Sequence, residues 1–463
     1  MTPRPATRKA PDRSGAFLCF GGPEGIRTPD LFIANEARYQ LRHRPENLEE
    51  PITRAGCSSH GDNGGMLLAP PLTALHDIRI WSPEGGSAAV DLRLDGGSIA
   101  AVVPAGSAPR PEGSRDGRGL LALPGFVNTH AHIDKSWWGL PWESYGGEGG
   151  TDGRIRHERN RRGALGIPSA GITSRVLAEL VRHGTTAIRT HVDVDLGLGL
   201  RGIEAVREAA AAYEDAVRVE IVAFPQDGVL RRPGVLDLLA EAARAGVEHI
   251  GGLDPASIDR DPVGQLDGLF AIAAEHGAGV DIHLHDAAEL GAFQIELIVD
   301  RTARLGLEGR VNVAHGFALA QVSAPHRRDL LQAMAGLGIT MTTVAPLRLP
   351  QLPLAELDAA GVRFGFGTDG IRDLWSPYGT GDLLGIAWQY ARSSSIVRDE
   401  DLLRVVEVAT GAAGPFVGLA ENRLRVGDRA DVVLVDAENP MDALVRMPRR
   451  ELVVGGGRVL HAV

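Results

Sequence analysis

Between residues 126 and 370 the sequence alternates eight times between a short apolar run and a longer run with helical periodicity. The apolar runs are typical of strands, and glycine follows several helical runs, where a helix C-cap belongs. Eight strand–helix units over about 300 residues favour a closed (β/α)8 TIM barrel over an open doubly wound sheet. No G-x-G-x-x-G pattern follows the first strand, so this region does not indicate a dinucleotide cofactor.

Side chains that bind metals or transfer protons stand at the carboxyl ends of the predicted strands, where a barrel of this type has its active site. In chain order they are His130 and His132, His191 and Asp193, Gln226, Asp254, His283, His285 and Asp286, His315, and Asp369. One histidine at a strand end is usually structural, but six at one face of a barrel predict a functional site. An outlier such as His191 could still orient a ligand rather than bind the metal.

His130 and His132 follow an apolar run that breaks at Pro124-Gly125 and restarts at Phe126. Because strand side chains alternate between faces, two histidines two residues apart point the same way. Neutral imidazole is the commonest metal ligand, so the pair can bind one divalent ion. The His-x-His pattern alone is a weak signal, and it gains weight from the ligand-type residues at the other strand ends.

Residues 66–122 and 421–463 differ from the middle of the chain, because both consist of short strands joined by turn sequences such as D-G-G. Neither part is long enough for an independent sandwich. We therefore predict an α/β fold in which a small β-sandwich domain, built from both chain ends, flanks a barrel of residues 123–420.

Residues 1–65 are polar, rich in proline, glycine and arginine, and show no sustained helix or strand period. They lack a charged start followed by an apolar core, so they do not read as a signal peptide. The segment G-G-P-E-G-I-R-T-P-D-L resembles peptides that arise when a tRNA gene region is translated by mistake. We expect a disordered tail or an over-extended gene model with its true start at Met66, and both predict no packed structure.

The net charge of −11 argues against nucleic acid or an anionic membrane as a partner. No apolar run approaches the roughly 20 residues that span a bilayer. The two cysteines, Cys19 and Cys57, both lie in the tail, so the folded part has neither a disulfide nor thiolate chemistry, which fits a cytoplasmic protein. The expected partner is a small heterocyclic substrate, and the sequence leaves a homo-oligomer open.

Six stretches of the sequence carry a family resemblance: P-G-F-V-N-T-H-A-H-I-D-K, R-T-H-V-D-V, F-P-Q-D-G, D-I-H-L-H-D, the histidine of V-N-V-A-H, and F-G-T-D-G-I-R-D-L-W-S-P-Y-G-T. Over nearly all of residues 66–463 the chain resembles the amidohydrolase superfamily, and within it the cytosine deaminase-like branch. The resemblance implies a metal ion held by His130, His132, His283 and Asp369.

The same resemblance implies roles for three residues that are not ligands. His315 would contact the bound water and the intermediate, and Gln226 and Trp375 would shape the heterocycle pocket. Three imidazoles and a carboxylate leave room for a water on Zn²⁺ or Fe²⁺, and the ion lowers the pKa of that water from about 15.7 toward about 7. Asp369 is placed to take its proton while the hydroxide attacks a ring carbon.

A second acid must protonate the ring nitrogen and the leaving amine. Cytosine deaminases carry a glutamate three residues after the fifth-strand ligand, and this chain has Asp286 there, so we predict Asp286 as the acid. Glu289, one helical turn on, is the alternative acid. His285 is a rival metal ligand, because it shares a strand face with His283 and spacing does not separate the two.

Lysine usage bears on the metal count and on the substrate. Amidohydrolases with two metals commonly bridge them with a carboxylated lysine on the fourth strand, but the fourth strand here reads H-I-G-G-L-D, so we predict one metal. Lys135 instead follows H-I-D, as in relatives that act on triazines such as N-isopropylammelide. It could bind a substrate carbonyl or carboxylate, or lie in a solvated loop. Gly370 stands where cytosine deaminase has a second aspartate that contacts the pyrimidine.

We therefore expect a metal-dependent hydrolase of C–N bonds other than peptide bonds, which deaminates a cytosine-like nitrogen heterocycle through a metal-bound hydroxide. One alternative is removal of an alkylamine from a triazine, or the opening of a cyclic amide. A second alternative, from another class, is a catalytically dead barrel that serves as a scaffold. A lost ligand would signal that alternative, and none of the four expected ligands is missing.

Overall fold

The computed structural model of the protein describes residues 69–107 and 109–463, and the predicted tail of residues 1–65 lies outside the described residues. Four strands come first: β1 (Ala74–Ser82), β2 (Gly86–Asp95), β3 (Ser98–Pro104) and β4 (Ser114–Pro124). β1 pairs antiparallel with β2 and parallel with β4, and β2 pairs antiparallel with β3. These strands form one side of a sheet that the C-terminal strands complete.

The barrel begins one residue after β4. Its strands are β5 (Phe126–His132), β6 (Thr185–Asp193), β7 (Arg218–Phe224), β8 (His249–Leu253), β9 (Gly279–Leu284), β10 (Val311–His315), β11 (Thr340–Thr343), β12 (Phe364–Phe366) and β13 (Asp369–Gly370). From β5 to β12 each strand pairs in parallel with the next. β5, β6, β9 and β10 are buried along their whole length, as expected for parallel strands covered on both faces.

The two edges of this sheet are β12 and β13, which follow each other in the chain, and β13 pairs with β5. Asp369 pairs with Ala131, next to the histidines of β5. Ahead of that pair, Asn128 donates its side-chain amide to Oγ1 of Thr368 at 2.8 Å and accepts from the Thr368 N–H at 3.1 Å. Gly367 must be glycine here, because a Cβ atom would lie 2.3 Å from the Cβ of His130. The predicted TIM-like barrel is confirmed.

Helices connect the strands and cover the barrel. They are α1 (Gly150–Leu165), α2 (Ala170–Arg182), α3 (Arg201–Ala211), α4 (Val235–Arg244), α5 (Pro262–His276), α6 (Ala288–Leu305), α7 (Ala324–Gly336), α8 (Leu354–Ala360), α9 (Leu383–Ser393), α10 (Asp399–Ala409) and α11 (Pro440–Arg446). Asp261 caps α5 by accepting from the Gly264 N–H, and Gly277 ends that helix in the left-handed region. The strands and helices share one apolar core.

The C-terminal strands β14 (Val432–Val435), β15 (Arg450–Gly455) and β16 (Arg458–Ala462) return to the first sheet. Its strand order is β16-β15-β14-β4-β1-β2-β3. Leu92 and Ile99 at one side share a core with Leu452 and Val454 at the other, so the sheet curls on itself. The predicted small β domain from both chain ends is confirmed, and it consists of one separate mixed sheet. The boundaries at residues 122 and 421 stay a prediction. Within the described residues, no helix is long and apolar enough to cross a membrane.

Candidate active site

β5 and β13 bring three predicted metal ligands together. His130 and His132 are buried near the end of β5, and Asp369 pairs in register with the residue between them. Oδ1 of Asp369 lies 3.6 Å from Nε2 of His130 and 3.4 Å from Nε2 of His132. Atoms bound about 2.0–2.2 Å from a tetrahedral ion are about this far apart. The closure of the barrel therefore builds one half of the candidate metal centre.

Histidines from three other strands complete the cluster. Nε2 of His283, on β9, lies 3.3 Å from Nε2 of His132. Two groups have ligand atoms within 4.8 Å of one another: His130, His132, His191 and His283; and His130, His315 and Asp369. The structure thus brings the four predicted ligands together with His191 and His315. His191, which could orient a ligand, and His315, expected to be a non-ligand, therefore each belong to one of two groups that share His130.

The chemistry of this cluster fits a divalent ion. Burial holds the pKa of His132, His283 and His315 well below the ordinary value, so these rings are neutral. Both ring nitrogens of His130 and of His315 have no hydrogen-bond partner among the described residues. Buried polar atoms without partners are costly, and the lone pair of a neutral imidazole is what a metal ion accepts.

Asp369 supplies the negative charge of the cluster. Burial raises the pKa of this carboxyl, but its contacts with His130 and His132 outweigh burial and hold the pKa well below the usual range. Its side chain remains 42% exposed, so the carboxylate stays accessible to a substrate or a water molecule. The group is therefore ionised, next to the imidazoles and open on one side, as a carboxylate ligand of a divalent ion would be.

Three of the predicted strand ends have an unusual backbone. Asp254, His315 and Asp369 all have positive φ, at 33°, 69° and 59°. The left-handed region is unfavourable for residues with a Cβ atom, by about 1–2 kcal/mol each. Such residues cluster at functional sites, where the surrounding structure holds a side chain in place. Asp254 directly follows β8, and His315 is the last residue of β10. Asp369 begins β13, which together with β12 forms the eighth strand of the barrel.

The predicted acids differ in their surroundings. Both carboxylate oxygens of Asp286 are occupied: Ser257 donates to Oδ1, and Gln294 donates to Oδ2 at 2.9 Å. Glu289 lies on the first turn of α6 with its side chain 74% exposed, and it pairs with His326 at 3.3 Å. The structure therefore brings neither carboxylate into the histidine cluster.

His285, the predicted rival ligand, contacts the cluster from its edge. Its Nδ1 lies 3.0 Å from Oδ2 of Asp254, and its side chain is 41% exposed. Its ring centroid is 4.1 Å from that of His315. Burial lowers the pKa of His285, but Asp254 more than offsets burial and raises it. Since Asp254 holds Nδ1, the other nitrogen, Nε2, is the one that can face a substrate.

Lys135 is buried rather than solvated. Its Nζ donates to Oδ1 of Asp193 at 3.0 Å and to Oε1 of Gln226. Burial lowers the pKa of this lysine, but surrounding carboxylates led by Asp193 and Glu158 raise it overall. The ammonium therefore stays charged, and its two contacts connect it to the wall of the pocket.

Gln226 and Trp375, the two predicted pocket residues, meet at Glu158. The Gln226 amide donates to Oε2 of Glu158 at 2.6 Å and to Oδ2 of Asp193 at 3.2 Å. The indole N–H of Trp375 donates to the same Glu158 oxygen. Sequence reasoning missed Glu158, because the run R-I-R-H-E-R-N-R-R has no apolar stripe and gives no sign of one buried acid.

A profile of the amidohydrolase family matches residues 169–461, which is well over half of the chain. The chain belongs to the amidohydrolase family. N-isopropylammelide isopropyl amidohydrolase from Pseudomonas sp. (strain ADP) is 28% identical over 359 residues, which cover 74% of this amidohydrolase and 87% of that protein. The sequence resemblance is therefore confirmed, and the amidohydrolase is a metal-dependent hydrolase that acts on C–N bonds.

The solved structures that are similar to the amidohydrolase include the following two enzymes. N-isopropylammelide isopropylaminohydrolase from Burkholderia multivorans ATCC 17616 is 40% identical with a TM-score of 0.78, covering 84% of this chain and 98% of that one. The 5-methylcytosine deaminase from Klebsiella pneumoniae, liganded with 5-fluorocytosine, is 24% identical with a TM-score of 0.72, covering 84% and 97%. The second likeness supports the fold alone.

One further acid of the amidohydrolase was not singled out from its sequence. Asp373 is buried, and its Oδ1 accepts from the N–H groups of Trp375 and Ser376, both at 2.8 Å. Burial, against the opposing charge of Lys135, raises the pKa of Asp373 to about 6. Asp373 belongs to the stretch that carries the family resemblance, four residues after Asp369. Nothing in the sequence shows that this aspartate is buried, so it could not be recognised there as a candidate site residue.

Proposed function

We propose that the amidohydrolase removes an amine from a ring carbon of a nitrogen heterocycle of cytosine or triazine size. The observation that carries this proposal is the cluster of three buried histidines, His130, His132 and His283, with the partly exposed Asp369, beside Lys135 and Gln226. The cluster supports hydrolysis, and the polar groups beside it support recognition of a small polar ring.

Two amines are candidates for the leaving group. Ammonia leaves in the cytosine-type deamination that the sequence favours. An alkylamine leaves in the alternative reaction, which the 40% identity to an N-isopropylammelide isopropylaminohydrolase favours. Gly370, in place of a second aspartate, also argues against cytosine itself. N-isopropylammelide is therefore the first substrate to test, and cytosine is the second.

One divalent ion, Zn²⁺ or Fe²⁺, would be held by His130, His132, His283 and Asp369. Bound there, it would supply Lewis acidity and a nucleophile from water near neutral pH. Asp369 accepts the proton of the attacking water, since its carboxylate is ionised and accessible. His315 borders the same point and is placed to contact the oxygen that gains charge on the reacting carbon.

The leaving amine needs a proton, and two residues compete for this role. Asp286 remains the acid proposed from sequence, but Ser257 and Gln294 occupy its oxygens. His285 is favoured by its contacts, because Asp254 orients the ring through Nδ1 and the other ring nitrogen, Nε2, can then face the leaving amine. An oriented histidine that is partly exposed in the site can both donate and regain a proton.

A substrate panel tests the proposed function. The full chain, loaded with Zn²⁺ or Fe²⁺, is incubated with N-isopropylammelide, cytosine, isocytosine, creatinine and aminotriazines, and released ammonia and isopropylamine are measured. Release from at least one compound, abolished by a chelator and restored by the metal, is the expected result. No release from any of them would reject the proposal and favour the scaffold alternative.

A further inference from the structure

α1 lies over the mouth of the barrel and is fixed there by apolar and ionic contacts. Ile155 packs with Phe224 and Leu253, which stand at the carboxyl ends of β7 and β8. Arg159 pairs with Asp227 at 2.9 Å, in the loop after β7. The helix therefore presents one face directly to the strand ends that carry the pocket residues.

Glu158 is the acid on that face, and its carboxylate is committed to the pocket. It is 2% exposed, and it makes no ion pair with the arginines of its own helix in the part of the chain that the structure describes. Its Oε2 instead accepts from Gln226 and from Trp375. A carboxylate surrounded by arginines would pair with them if its role were only to stabilise the helix surface.

The contacts of Gln226 show what Glu158 controls. The amide oxygen accepts from Lys135, and the amide nitrogen donates to Glu158 and Asp193. These three contacts define which end of the amide is the donor and which is the acceptor. Without Glu158 the amide keeps only its contacts with Lys135 and Asp193, so its position in the pocket is less firmly held.

We propose that Glu158 is a positioning residue for the substrate pocket: from α1, it orients the amide of Gln226 and the indole of Trp375 toward the heterocycle. This inference rests on the proposed function, since it adds Glu158, a residue of α1, to the site proposed at the strand ends. Substrate recognition then depends on α1 being docked, because the helix that covers the site also supplies the carboxylate that arranges it.

The test compares three variants of the metal-loaded full chain with N-isopropylammelide and cytosine as probes. Glu158→Ala should raise KM about tenfold to a hundredfold with a much smaller change in kcat, the range expected for losing a hydrogen bond to a charged group. Glu158→Gln keeps an acceptor oxygen for the Trp375 indole and should recover part of the loss. Arg161→Gln is the matched control, because Arg161 lies on the same helix as Glu158 and its 2.8 Å pair is with Glu143, in the loop before the helix, so the pocket stays intact.

A second readout does not depend on activity. The indole ¹H–¹⁵N resonance of Trp375, assigned through Trp375→Phe, should move in Glu158→Ala and stay in place in Arg161→Gln. An unchanged KM in Glu158→Ala, or an unmoved Trp375 resonance, overturns the positioning role. If the wild-type chain hydrolyses no compound, the proposed function fails instead, and the Trp375 resonance still decides whether Glu158 holds the indole.

Discussion

Asp373 occupies the space that a side chain on residue 370 would need. Its Oδ2 lies 1.7 Å from the position of a Cβ atom built on Gly370. The N–H groups of Trp375 and Ser376 hold the carboxylate in this place through its other oxygen. Gly370 stands where a second aspartate is expected. The position of the buried Asp373 therefore requires glycine at residue 370.

This relationship predicts the effect of adding one methyl group. Gly370→Ala should lower the free energy of unfolding by about 1–3 kcal/mol, the usual cost of forcing an extra carbon into a packed site. Chemical denaturation followed by circular dichroism measures it. In an Asp373→Gly background the same substitution should cost much less, because the clashing carboxylate is gone.

Gly171→Ala in α2 is the matched control for that experiment. A Cβ atom at Gly171 meets nothing within 4 Å, and alanine favours a helix more than glycine does. We expect no loss of stability there. An equal cost of Gly370→Ala with and without Asp373 would contradict the proposed clash.

The metal content should be one ion per chain. The candidate cluster is compact, and β8, the fourth barrel strand, has no lysine that could bridge a second ion. Removing the metal with a chelator should lower the melting temperature, since an ion that binds only the folded chain stabilises it. Elemental analysis and calorimetry measure the two effects, and activity that requires two ions per chain would contradict the single site.

Asp369→Asn should impair catalysis and leave the folded structure intact. The substitution keeps the shape of the side chain but removes its negative charge and its capacity to accept a proton. We expect kcat to fall by at least about 10²–10⁴, the range for one acid–base group, with weaker metal binding added to it. The metal-free variant should melt close to metal-free wild type, and activity within a few fold of wild type would remove Asp369 from the proposed mechanism.

The strand-end residues could be predicted from sequence because the barrel repeats a simple rule. Alternation along β5 places His130 and His132 on one face, and parallel pairing brings their partners to the same end of the sheet. Contacts that depend on longer-range packing could not be predicted in this way. Glu158 is an example, since its burial follows from how α1 lies across the barrel.

The choice between His285 and Asp286 shows a second limit of sequence reasoning. Spacing placed both residues at the end of β9, and it could not show that Ser257 and Gln294 occupy Asp286 while Asp254 orients His285. The direction of a side chain beyond a strand end depends on the backbone there. Positive φ at Asp254 is such a local feature, and no spacing pattern encodes it.

Paired variants distinguish the two acids. If His285 protonates the leaving amine, His285→Gln should lower kcat about 10²–10⁴-fold without loss of bound metal, and Asp286→Asn should be much milder. The reverse order would restore Asp286, and Asp286→Glu should then retain activity. Glu289→Gln serves as the control, because Glu289 pairs with His326 outside the cluster. Steady-state kinetics and metal analysis of each variant decide the assignment.

Stability should depend on pH through Asp373. Its pKa is raised to about 6, mainly by burial, from an unfolded value near 3.8. Between these values the folded chain binds more protons than the unfolded chain, so stability falls as pH rises from about 4 to 7. Asp373→Asn removes this dependence and keeps an acceptor oxygen for the N–H groups of Trp375 and Ser376.

Relative to metal-free wild type, the variant should therefore gain up to about 3 kcal/mol in unfolding free energy over this range, since each pKa unit corresponds to about 1.4 kcal/mol. Denaturation curves at several pH values measure the difference, and a gap between the two proteins that stays constant or narrows toward pH 7 would show that Asp373 is ionised throughout.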